Sequence, residues 1–355
     1  MKILHLIFSL EIGGAESMMV DIANRQVVNN DVYVYIINST YNKSLLNSLD
    51  KNIKIHLFNR KEGSKNLFKI TEINYKILKL KPDITHCHNS DINKILFIHS
   101  FTRTLLTIHA IGLPLVRVFK FNKVVAISLA VKEHLLKNGL KDILVNYNGI
   151  NINTIQRKVK LENSNVYKII QVSRLDHLIK GQDILLKALN LLNKEHKIEN
   201  VHIDFIGEGD SLTYLKKIVS KYELEDKVTF LGIKDRSYIY SNIKNYDLLV
   251  QPSIIEGFGL TVAEGMAAKI PVLVSANDGP MEIIRNGEYG FYFKKGDAVD
   301  CANQIKNIIE SNKEINRIVE NAYQHCIDNF DINKTVDNYI KEYQNIIDIN
   351  TKKNE

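Results

Sequence analysis

Apolar positions along this 355-residue chain fall into short continuous runs that alternate with helical stretches from one end to the other. Runs of four to eight apolar residues between polar turns predict strands that are buried on both faces. Helical patterns lie between most of these runs, for example at 15–28, 67–80 and 129–138. The predicted strands are 2–8, 32–38, 54–58, 83–88, 104–109, 124–128, 143–147, 168–172, 202–207, 228–232, 247–251, 271–275 and 290–293.

This alternation of strands and helices is typical of parallel sheets covered by helices on both faces. The length exceeds that of a single hydrophobic core. A polar stretch at 151–167, rich in Lys and Asn, interrupts the rhythm and predicts a linker. We therefore expect two doubly wound, Rossmann-like α/β domains, at 1–155 and 165–331, and an amphipathic helix at 332–347. Ligands of such sheets bind beyond the carboxyl ends of the strands, so the expected site is a cleft between the domains.

Composition narrows the class of protein. A hydrophobic content of 45% and a charged content of 25% are ordinary for a soluble globular protein. The first apolar run is short, contains His5 and is followed by Glu11 and two glycines, which favours a buried strand over a signal peptide. No apolar stretch is long enough to span a bilayer. Three widely spaced cysteines fit no disulfide framework and favour a reducing, cytoplasmic compartment: Cys87, Cys301 and Cys326.

Positive charge is concentrated in one part of the chain. The net charge is +7, and nine Lys or Arg face two acids between Lys51 and Lys81. Such a run is either solvated surface or a region attracted to an anionic membrane face or a phosphorylated acceptor. Nucleic acid is not expected as a partner, because no nucleic-acid-binding module or aromatic-rich basic stripe accompanies the charge.

The segment from Glu256 to Glu264 is the most informative in the chain. Its two carboxylates flank a Gly-Phe-Gly turn that follows a predicted strand and leads into helix-forming residues. Such a turn directs free backbone N–H groups and the positive end of a helix dipole at an anion. Because helical side chains lean towards the N-terminus, Glu264 could reach a hydroxyl group on the same ligand. A nucleotide sugar has both the phosphate and the hydroxyls.

Three other segments lie where a predicted strand gives way to a helix. Gly13-Gly14 is either an ordinary turn or a close backbone approach to a ligand. Arg174 and Lys180 are either solvated loop cations or a pair that brackets a diphosphate. The turn Gly207-Glu208-Gly209-Asp210-Ser211 is explained by helix capping, and contact with a nucleobase or phosphate is the alternative.

The histidines suggest a ligand contact more than a metal site. His109 ends a predicted strand, where it is either a core residue or a contact to a sugar hydroxyl. His86 and His88 share one face of a strand, but two histidines without a third ligand make a poor zinc site, so no metal is expected. No Asp-x-Asp sequence occurs, which argues against transfer chemistry built on a metal held by paired aspartates.

Taken in order, these segments resemble the family 4 retaining glycosyltransferases of the GT-B fold. The likeness covers nearly the whole chain, and its most specific element is the pair of glutamates with seven residues between them. The motifs that carry it are Gly13-Gly14-Ala15-Glu16, the loop at His109, Val125-Ala126-Ile127-Ser128, Asn148-Gly149-Ile150, Ser173-Arg174-Leu175 with Lys180-Gly181, Ile206-Gly207-Glu208-Gly209, Glu256-Gly257-Phe258-Gly259-Leu260 with Glu264-Gly265, and Pro271-Val272 with Gly279-Pro280-Met281-Glu282.

The resemblance implies a role for each of ten residues. Arg174 and Lys180 would bind the donor diphosphate and stabilise its growing charge. Glu256 would hold the donor sugar, together with the backbone amides of Phe258 and Gly259 and the neighbouring Leu260. Glu264 would bind the ribose, Gly14 and Gly207 would approach the donor, and His109 would contact a sugar hydroxyl. The segment 332–355 would return to the first domain, as the last helix does in this family.

The implied activity is transfer of a hexose or N-acetylhexosamine from a nucleotide sugar, with retention and without metal or cofactor. The acceptor would be a lipid-linked molecule or an oligosaccharide in bacterial surface polysaccharide or lipopolysaccharide synthesis, reached at the inner membrane surface. A nucleotide-sugar epimerase and a non-catalytic GT-B subunit remain as alternatives. The family often has Gly-Gly or Ser-Gly before its Pro-x-Glu segment. Asn277-Asp278-Gly279 stands here instead, which leaves the donor sugar open.

Overall fold

The structure is a computed structural model, and it describes residues 1–97, 102–113, 115, 118–159 and 165–352. The chain divides into two compact units. Unit 1 comprises Met1–Gly149 and Ile332–Glu355, and unit 2 comprises Ile150–Asp331. Residues 353–355, the end of the predicted returning segment, lie outside the described part of the chain.

Unit 1 is built on a parallel sheet, seven-stranded in its described part, in the order β3-β2-β1-β4-β5-β6-β7. The central strands are apolar almost throughout, because helices cover both faces of a doubly wound sheet. Ile3, Leu4, Leu6 and Ile7 of β1 have no exposed surface. The strands are β1 Lys2–Ile7, β2 Asp31–Asn38, β3 Lys54–Arg60, β4 Ile84–Cys87, β5 Thr104–Ile108, β6 Lys123–Ala126 and β7 Ile143–Val145.

The helices of unit 1 include one from the far end of the chain. Asn66 and Ser128 cap α3 and α4, since each side chain accepts hydrogen bonds from first-turn amides. The last helix, α13, packs against α1 and buries Tyr339 and Tyr343 within unit 1. The helices are α1 Gly14–Gln26, α2 Lys43–Asn47, α3 Leu67–Leu80, α4 Leu129–Lys137 and α13 Ile332–Lys352.

Unit 2 repeats the design with a parallel sheet, six-stranded as far as it is described, in the order β10-β9-β8-β11-β12-β13. The order of its strands reverses between β8 and β11, which pair directly. In a doubly wound sheet that is where a crevice opens at the carboxyl ends. The strands are β8 Tyr167–Val172, β9 Val201–Ile206, β10 Val228–Gly232, β11 Leu248–Gln251, β12 Val272–Ser275 and β13 Phe291–Phe293.

Amphipathic helices cover the second sheet. The buried face of α6 carries Ile184, Leu185 and Leu189, which join Phe205 of β9 and Ile305 of α11 in one apolar core. The helices are α5 His177–Lys180, α6 Gln182–Lys194, α7 Leu212–Lys221, α8 Arg236–Asn242, α9 Leu260–Ala267, α10 Asp278–Ile283, α11 Ala298–Glu310 and α12 Asn312–Phe330. Every strand predicted from the apolar runs is present with ends within two residues, and the predicted pair of doubly wound domains is confirmed.

The predicted linker at 151–167 is largely part of unit 2. Ile155 is buried, and the amide of Gln156 donates to the carbonyl of Tyr240. The ammonium of Lys158 lies 2.6 Å from Asp247 in a well-buried ion pair. These partners are more than 80 residues distant in sequence, so the local polar composition gave no sign of them. Residues 160–164 of the predicted linker lie outside the described part of the chain.

Two features bear on compartment and membrane contact. Cys87, Cys301 and Cys326 are buried free thiols, and burial raises the pKa of each thiol above its usual value. Of the helices described, none combines the length and apolar character that crossing a bilayer requires.

Candidate functional site

The two loops that follow β8 and β11 bring Lys180 against Glu256 in unit 2. Gly181 ends the short helix α5 with a φ of 65°, and a Cβ there would lie 2.0 Å from the carbonyl oxygen of Pro252. The amide of Ile254 donates to the carbonyl of Ile179 at 2.8 Å. A residue with a side chain could not permit this approach, so the glycine sets how closely the loops pack.

The carboxylate of Glu256 is held by three neighbours. Its Oε2 lies 2.8 Å from the ammonium of Lys180, 3.0 Å from the amide nitrogen of Gln251 and 3.4 Å from the hydroxyl of Ser253. The side chain of Gln251 is fixed in turn, because its amide oxygen Oε1 accepts a hydrogen bond from the hydroxyl of Thr261. Both members of the ion pair are mostly buried, with side-chain exposures of 21% and 16%. Lys180 is a compact charge with three donors, so it can serve Glu256 and an anion together.

Arg174 lies in the same loop as Lys180 but extends into solvent. Its guanidinium is 3.0 Å from Asp176 and its side chain is 64% exposed. The loop is placed by Gly207, which has a φ of 135° and whose Cβ, if present, would lie 2.0 Å from the carbonyl oxygen of Ser173. The Gly207–Asp210 turn predicted from sequence thus supports the Arg174 loop by close backbone contact, a role that helix capping did not suggest.

Helix α9 begins at the Gly-Phe-Gly turn as the sequence indicated. Gly259 precedes it with a φ of 108°, and as a glycine it has no side chain with which to cap the first turn. The ring of Phe258 is buried and meets Phe330 edge to face, with centroids 5.6 Å apart, so the ring packs within unit 2 and does not face a ligand. Leu260 is the first residue of the helix. A helix N-terminus without a side-chain cap is suited to bind an anion.

Glu264 lies in the second turn of α9 and is almost fully buried. The hydroxyl of Tyr240, from α8, donates to its Oε1 at 3.1 Å. Burial of a carboxylate requires hydrogen-bonding partners, and this phenol supplies one. The two glutamates of the motif therefore have different partners on either side of the turn. Glu256 pairs with Lys180, and Glu264 accepts a hydrogen bond from Tyr240.

In unit 1, Gly14 begins α1 and is exposed. The carboxylate of Glu16 folds back over Gly13, the residue before the helix. A Cβ on Gly13 would lie 2.4 Å from Oε2 of Glu16. Burial raises the pKa of the Glu16 carboxyl, while a hydrogen bond from its own amide lowers it. A carboxylate in the first turn interacts favourably with the helix dipole.

His109 follows β5 and joins a cluster of buried histidines in unit 1. His5 and His86 are register partners on neighbouring strands, which places both rings on one face. His88 links them to His109, with 3.2 Å between the two ring nitrogens. The argument from sequence that His86 and His88 lack a third ligand was therefore wrong. His5, which served there only to reject a signal peptide, is the third.

His5, His86 and His88 could hold a metal ion by geometry, since one ring nitrogen from each lies within 4.8 Å of the others. However, both nitrogens of all three rings already have side-chain partners. Burial lowers the pKa of His5 to about 4 and holds those of His86 and His88 well below the usual value. The cluster is thus a network of neutral, hydrogen-bonded rings.

Family models match both units of the chain. The model described as Glycosyltransferase Family 4 matches residues 12–154, and the model described as Glycosyl transferases group 1 matches residues 152–325. The chain belongs to the family 4 glycosyltransferases. The predicted membership and the GT-B fold are both confirmed.

A sequence relative of this chain is an uncharacterized glycosyltransferase of Methanocaldococcus jannaschii. It is 30% identical over 237 residues, which are 64% of this chain and 59% of the relative. The first three curated relatives are matched over 21% to 59% of their own length.

Solved glycosyltransferase structures share the fold over almost the entire chain. A glycosyltransferase from Rickettsia africae is 23% identical, with a TM-score of 0.81 and 98% of each chain covered. Anabaena Alr3699/HepE, solved in complex with UDP and glucose, is 22% identical, with a TM-score of 0.82 and 97% and 99% covered.

Several residues around these sites escaped the sequence argument. Gln251 ends a strand predicted from sequence, so its position beside the motif was available as a signal. Tyr240 offered none, because it lies in an unremarkable helix 24 residues before its partner Glu264. Gln26 and Tyr343, which bond to the histidine network, are 317 residues apart.

Proposed function

We propose that this chain is a retaining glycosyltransferase that moves a hexose or N-acetylhexosamine from a nucleotide sugar, with UDP as the nucleotide. The observation that carries the proposal is the convergence of Lys180 and Glu256 where the strand order of unit 2 reverses, in the loop that leads to the start of α9. A cation, a largely buried carboxylate and the N-terminus of a helix are the groups that a sugar diphosphate requires. The UDP complex of the Anabaena relative supports the choice of nucleotide.

Each site residue has a role in this proposal. Arg174 and Lys180 bind the diphosphate and stabilise the charge that develops on it as the glycosidic bond breaks. Glu256 accepts hydrogen bonds from the donor sugar and Glu264 from the ribose. The backbone at Gly207 and at Phe258, Gly259 and Leu260 approaches the donor. The resemblance assigns contacts with the donor to Gly14 and His109 as well.

Retention follows from front-face attack in this proposal. The acceptor hydroxyl approaches the anomeric carbon from the side of the departing diphosphate, and a phosphate oxygen takes the acceptor proton. The C–O bond to the acceptor forms as the C–O bond to the diphosphate breaks. No protein nucleophile is needed, and Arg174 and Lys180 supply positive charge that metal-dependent transferases obtain from a bound ion.

The first experiment is a screen of the purified chain against UDP- and GDP-sugars for donor hydrolysis, followed by transfer to lipid-linked and oligosaccharide acceptors. The expected result is turnover of one UDP-sugar without added metal, with a product whose anomeric configuration by NMR matches that of the donor. Inversion would contradict the mechanism. Binding of UDP without turnover would favour a non-catalytic subunit, and epimerisation of the donor sugar without acceptor would favour an epimerase.

A surface of α3 supports a peripheral contact with the cytoplasmic face of the membrane. Phe68, Thr71, Tyr75 and Leu78 recur at helical spacing on its exposed side, and Phe68 is 78% exposed. Lysines flank this stripe within the basic region Lys51–Lys81. Exposed apolar side chains flanked by lysines suit the headgroup region of an anionic bilayer. A lipid-linked acceptor would be presented there.

Vesicle flotation tests this contact. The chain should float with vesicles of phosphatidylglycerol and phosphatidylcholine but not with phosphatidylcholine alone, and the double variant Phe68→Ser, Leu78→Ser should bind at least about tenfold more weakly. Val28→Ser is the matched control, because Val28 is 74% exposed in the same unit but lies outside the stripe. Equal binding by the double variant and the control would refute the contact.

A further inference from the structure

A chain of side-chain hydrogen bonds runs through the interior of unit 1 from Gln26 to His109. The side-chain amide oxygen of Gln26, Oε1, lies 2.8 Å from Nε2 of His5. Nδ1 of His5 lies 3.0 Å from Nε2 of His88, and Nδ1 of His88 lies 3.2 Å from Nε2 of His109. Nδ1 of His109 is buried and has no partner among the residues that the structure describes.

The first link determines the direction of all the others. An amide oxygen can only accept, so Nε2 of His5 must carry the hydrogen. A neutral imidazole has one N–H, so Nδ1 of His5 accepts and Nε2 of His88 donates. The same step, repeated at His88, makes Nε2 of His109 a donor.

Burial keeps the rings neutral, which the argument requires. It lowers the pKa of His5 and of His109 to about 4 and that of His88 well below its usual value. The amide nitrogen of Gln26 is occupied too, since it donates to the hydroxyl of Tyr343 at 3.3 Å. That hydroxyl lies 2.6 Å from Nδ1 of His86 and can donate its own hydrogen there.

From this geometry we infer that Gln26 is a positioning residue, whose amide fixes His109 in the Nε2–H tautomer through His5 and His88. Nδ1 of His109 then carries a lone pair and accepts a hydrogen bond from a ligand hydroxyl. The ligand class rests on the proposed function, in which His109 contacts the donor sugar. The tautomer does not, because it follows from contacts within unit 1.

A bound metal ion is the competing use of the same rings. Ligation by His5, His86 and His88 would need one nitrogen of each ring to give up its present partner. An ion bound there would also remove the hydrogen that His88 donates to His5. Metal analysis of the purified protein therefore belongs to the test, and one tightly bound zinc per chain would overturn the inference.

The test is long-range ¹H–¹⁵N NMR of the protein labelled with ¹⁵N-histidine, which identifies the protonated nitrogen of each ring. The expected result near neutral pH is Nε2–H at His5, His88 and His109. Reversal of the Gln26 amide would put the hydrogen on Nδ1 of all three rings, and that result would overturn the inference. A UDP-sugar that turns over should shift the Nδ1 resonance of His109. UDP, which lacks the transferred sugar, is the control ligand.

A variant at Gln26 separates positioning from packing. Gln26→Met removes the acceptor at similar volume and should give mixed tautomers at His109, with kcat/KM lower by about five- to tenfold. Tyr339→Phe is the matched control, because it removes a buried hydroxyl that bonds Thr107 without touching the chain to His109.

The outcomes for the two proposals are separable. A single Nε2–H tautomer at His109 in Gln26→Met would refute the role of Gln26, whatever the enzyme does. Expected tautomers in a protein without transferase activity would support the inference and refute the proposed function. An active enzyme with Nδ1–H at His109 would refute the inference and support the proposed function.

Discussion

The ammonium of Lys180 lies 2.8 Å from Oε2 of Glu256, at the point where the strand order of the second sheet reverses. The pair joins a loop that follows β8 to a loop that follows β11, although the two residues are 76 positions apart. Gln251 and Ser253 also contact this oxygen, so in the proposed function Glu256 would keep its place when Lys180 binds the donor phosphate.

Removal of the ammonium should impair chemistry more than folding. Lys180→Ala is expected to lower kcat by about 10²–10³, the usual loss when a preorganised charged donor is removed. Lys187→Ala is the matched control, since Lys187 pairs with Asp183 on its own helix, 2.7 Å away. Steady-state kinetics with the UDP-sugar found in the screen make the measurement. Wild-type turnover in Lys180→Ala would contradict the assigned role.

Gln251 should matter through its hold on Glu256. Gln251→Leu removes the hydrogen bond to the carboxylate and leaves the hydroxyl of Thr261 without its acceptor. A hydrogen bond to a charged group contributes about 1.5–3 kcal/mol, so kcat/KM should fall by about tenfold or more. Thr261→Val removes only the hydrogen bond that Thr261 donates to Gln251, so it should lower kcat/KM less than Gln251→Leu does. If both variants keep wild-type kcat/KM, Gln251 does not position Glu256.

Glu264 should govern affinity for the nucleotide. Glu264→Gln keeps the shape of the side chain but removes its charge, and we expect UDP to bind about tenfold more weakly by calorimetry. Tyr240→Phe removes the phenol that donates to Oε1 and should weaken binding less, since the carboxylate remains. Unchanged UDP affinity in Glu264→Gln would mean that this carboxylate does not contact the nucleotide.

Much of this architecture could be predicted from sequence because it depends on local pattern. Apolar runs located the strands, and the Gly-Phe-Gly turn located the start of α9. The residues that were missed depend on contacts between distant segments. His5 reaches His86 through strand pairing, and Gln26 reaches Tyr343 through the returning helix. Neither contact leaves a periodic signal, because each requires knowledge of which elements become neighbours.

Replacement of Gly207 by any other residue should destabilise the protein, both through its backbone conformation and through a steric clash with Ser173. A control glycine separates the two effects. Its φ of 135° is unfavourable for other residues, and a Cβ would also lie 2.0 Å from the carbonyl of Ser173. Gly296 has a φ of 79° but only one atom near, at 4.0 Å, so Gly296→Ala measures the cost of backbone conformation, about 1 kcal/mol. Gly207→Ala should lower the melting temperature considerably more. Equal shifts would show that the Arg174 loop can move aside.

The buried histidines should make unit 1 sensitive to acid well above the range where most carboxylates titrate. Burial lowers the pKa of His5 to about 4, below its unfolded value of about 6.5. Between these values the unfolded chain binds more protons than the folded chain, so stability is complete above about pH 6.5 and is lost as the pH falls towards 4. His5 alone would account for about 3 kcal/mol of that loss. Urea unfolding across this interval should show the decline, and His5→Asn should reduce its slope by about one proton. An unchanged slope in His5→Asn would mean that the pKa of His5 is the same in the folded and the unfolded chain.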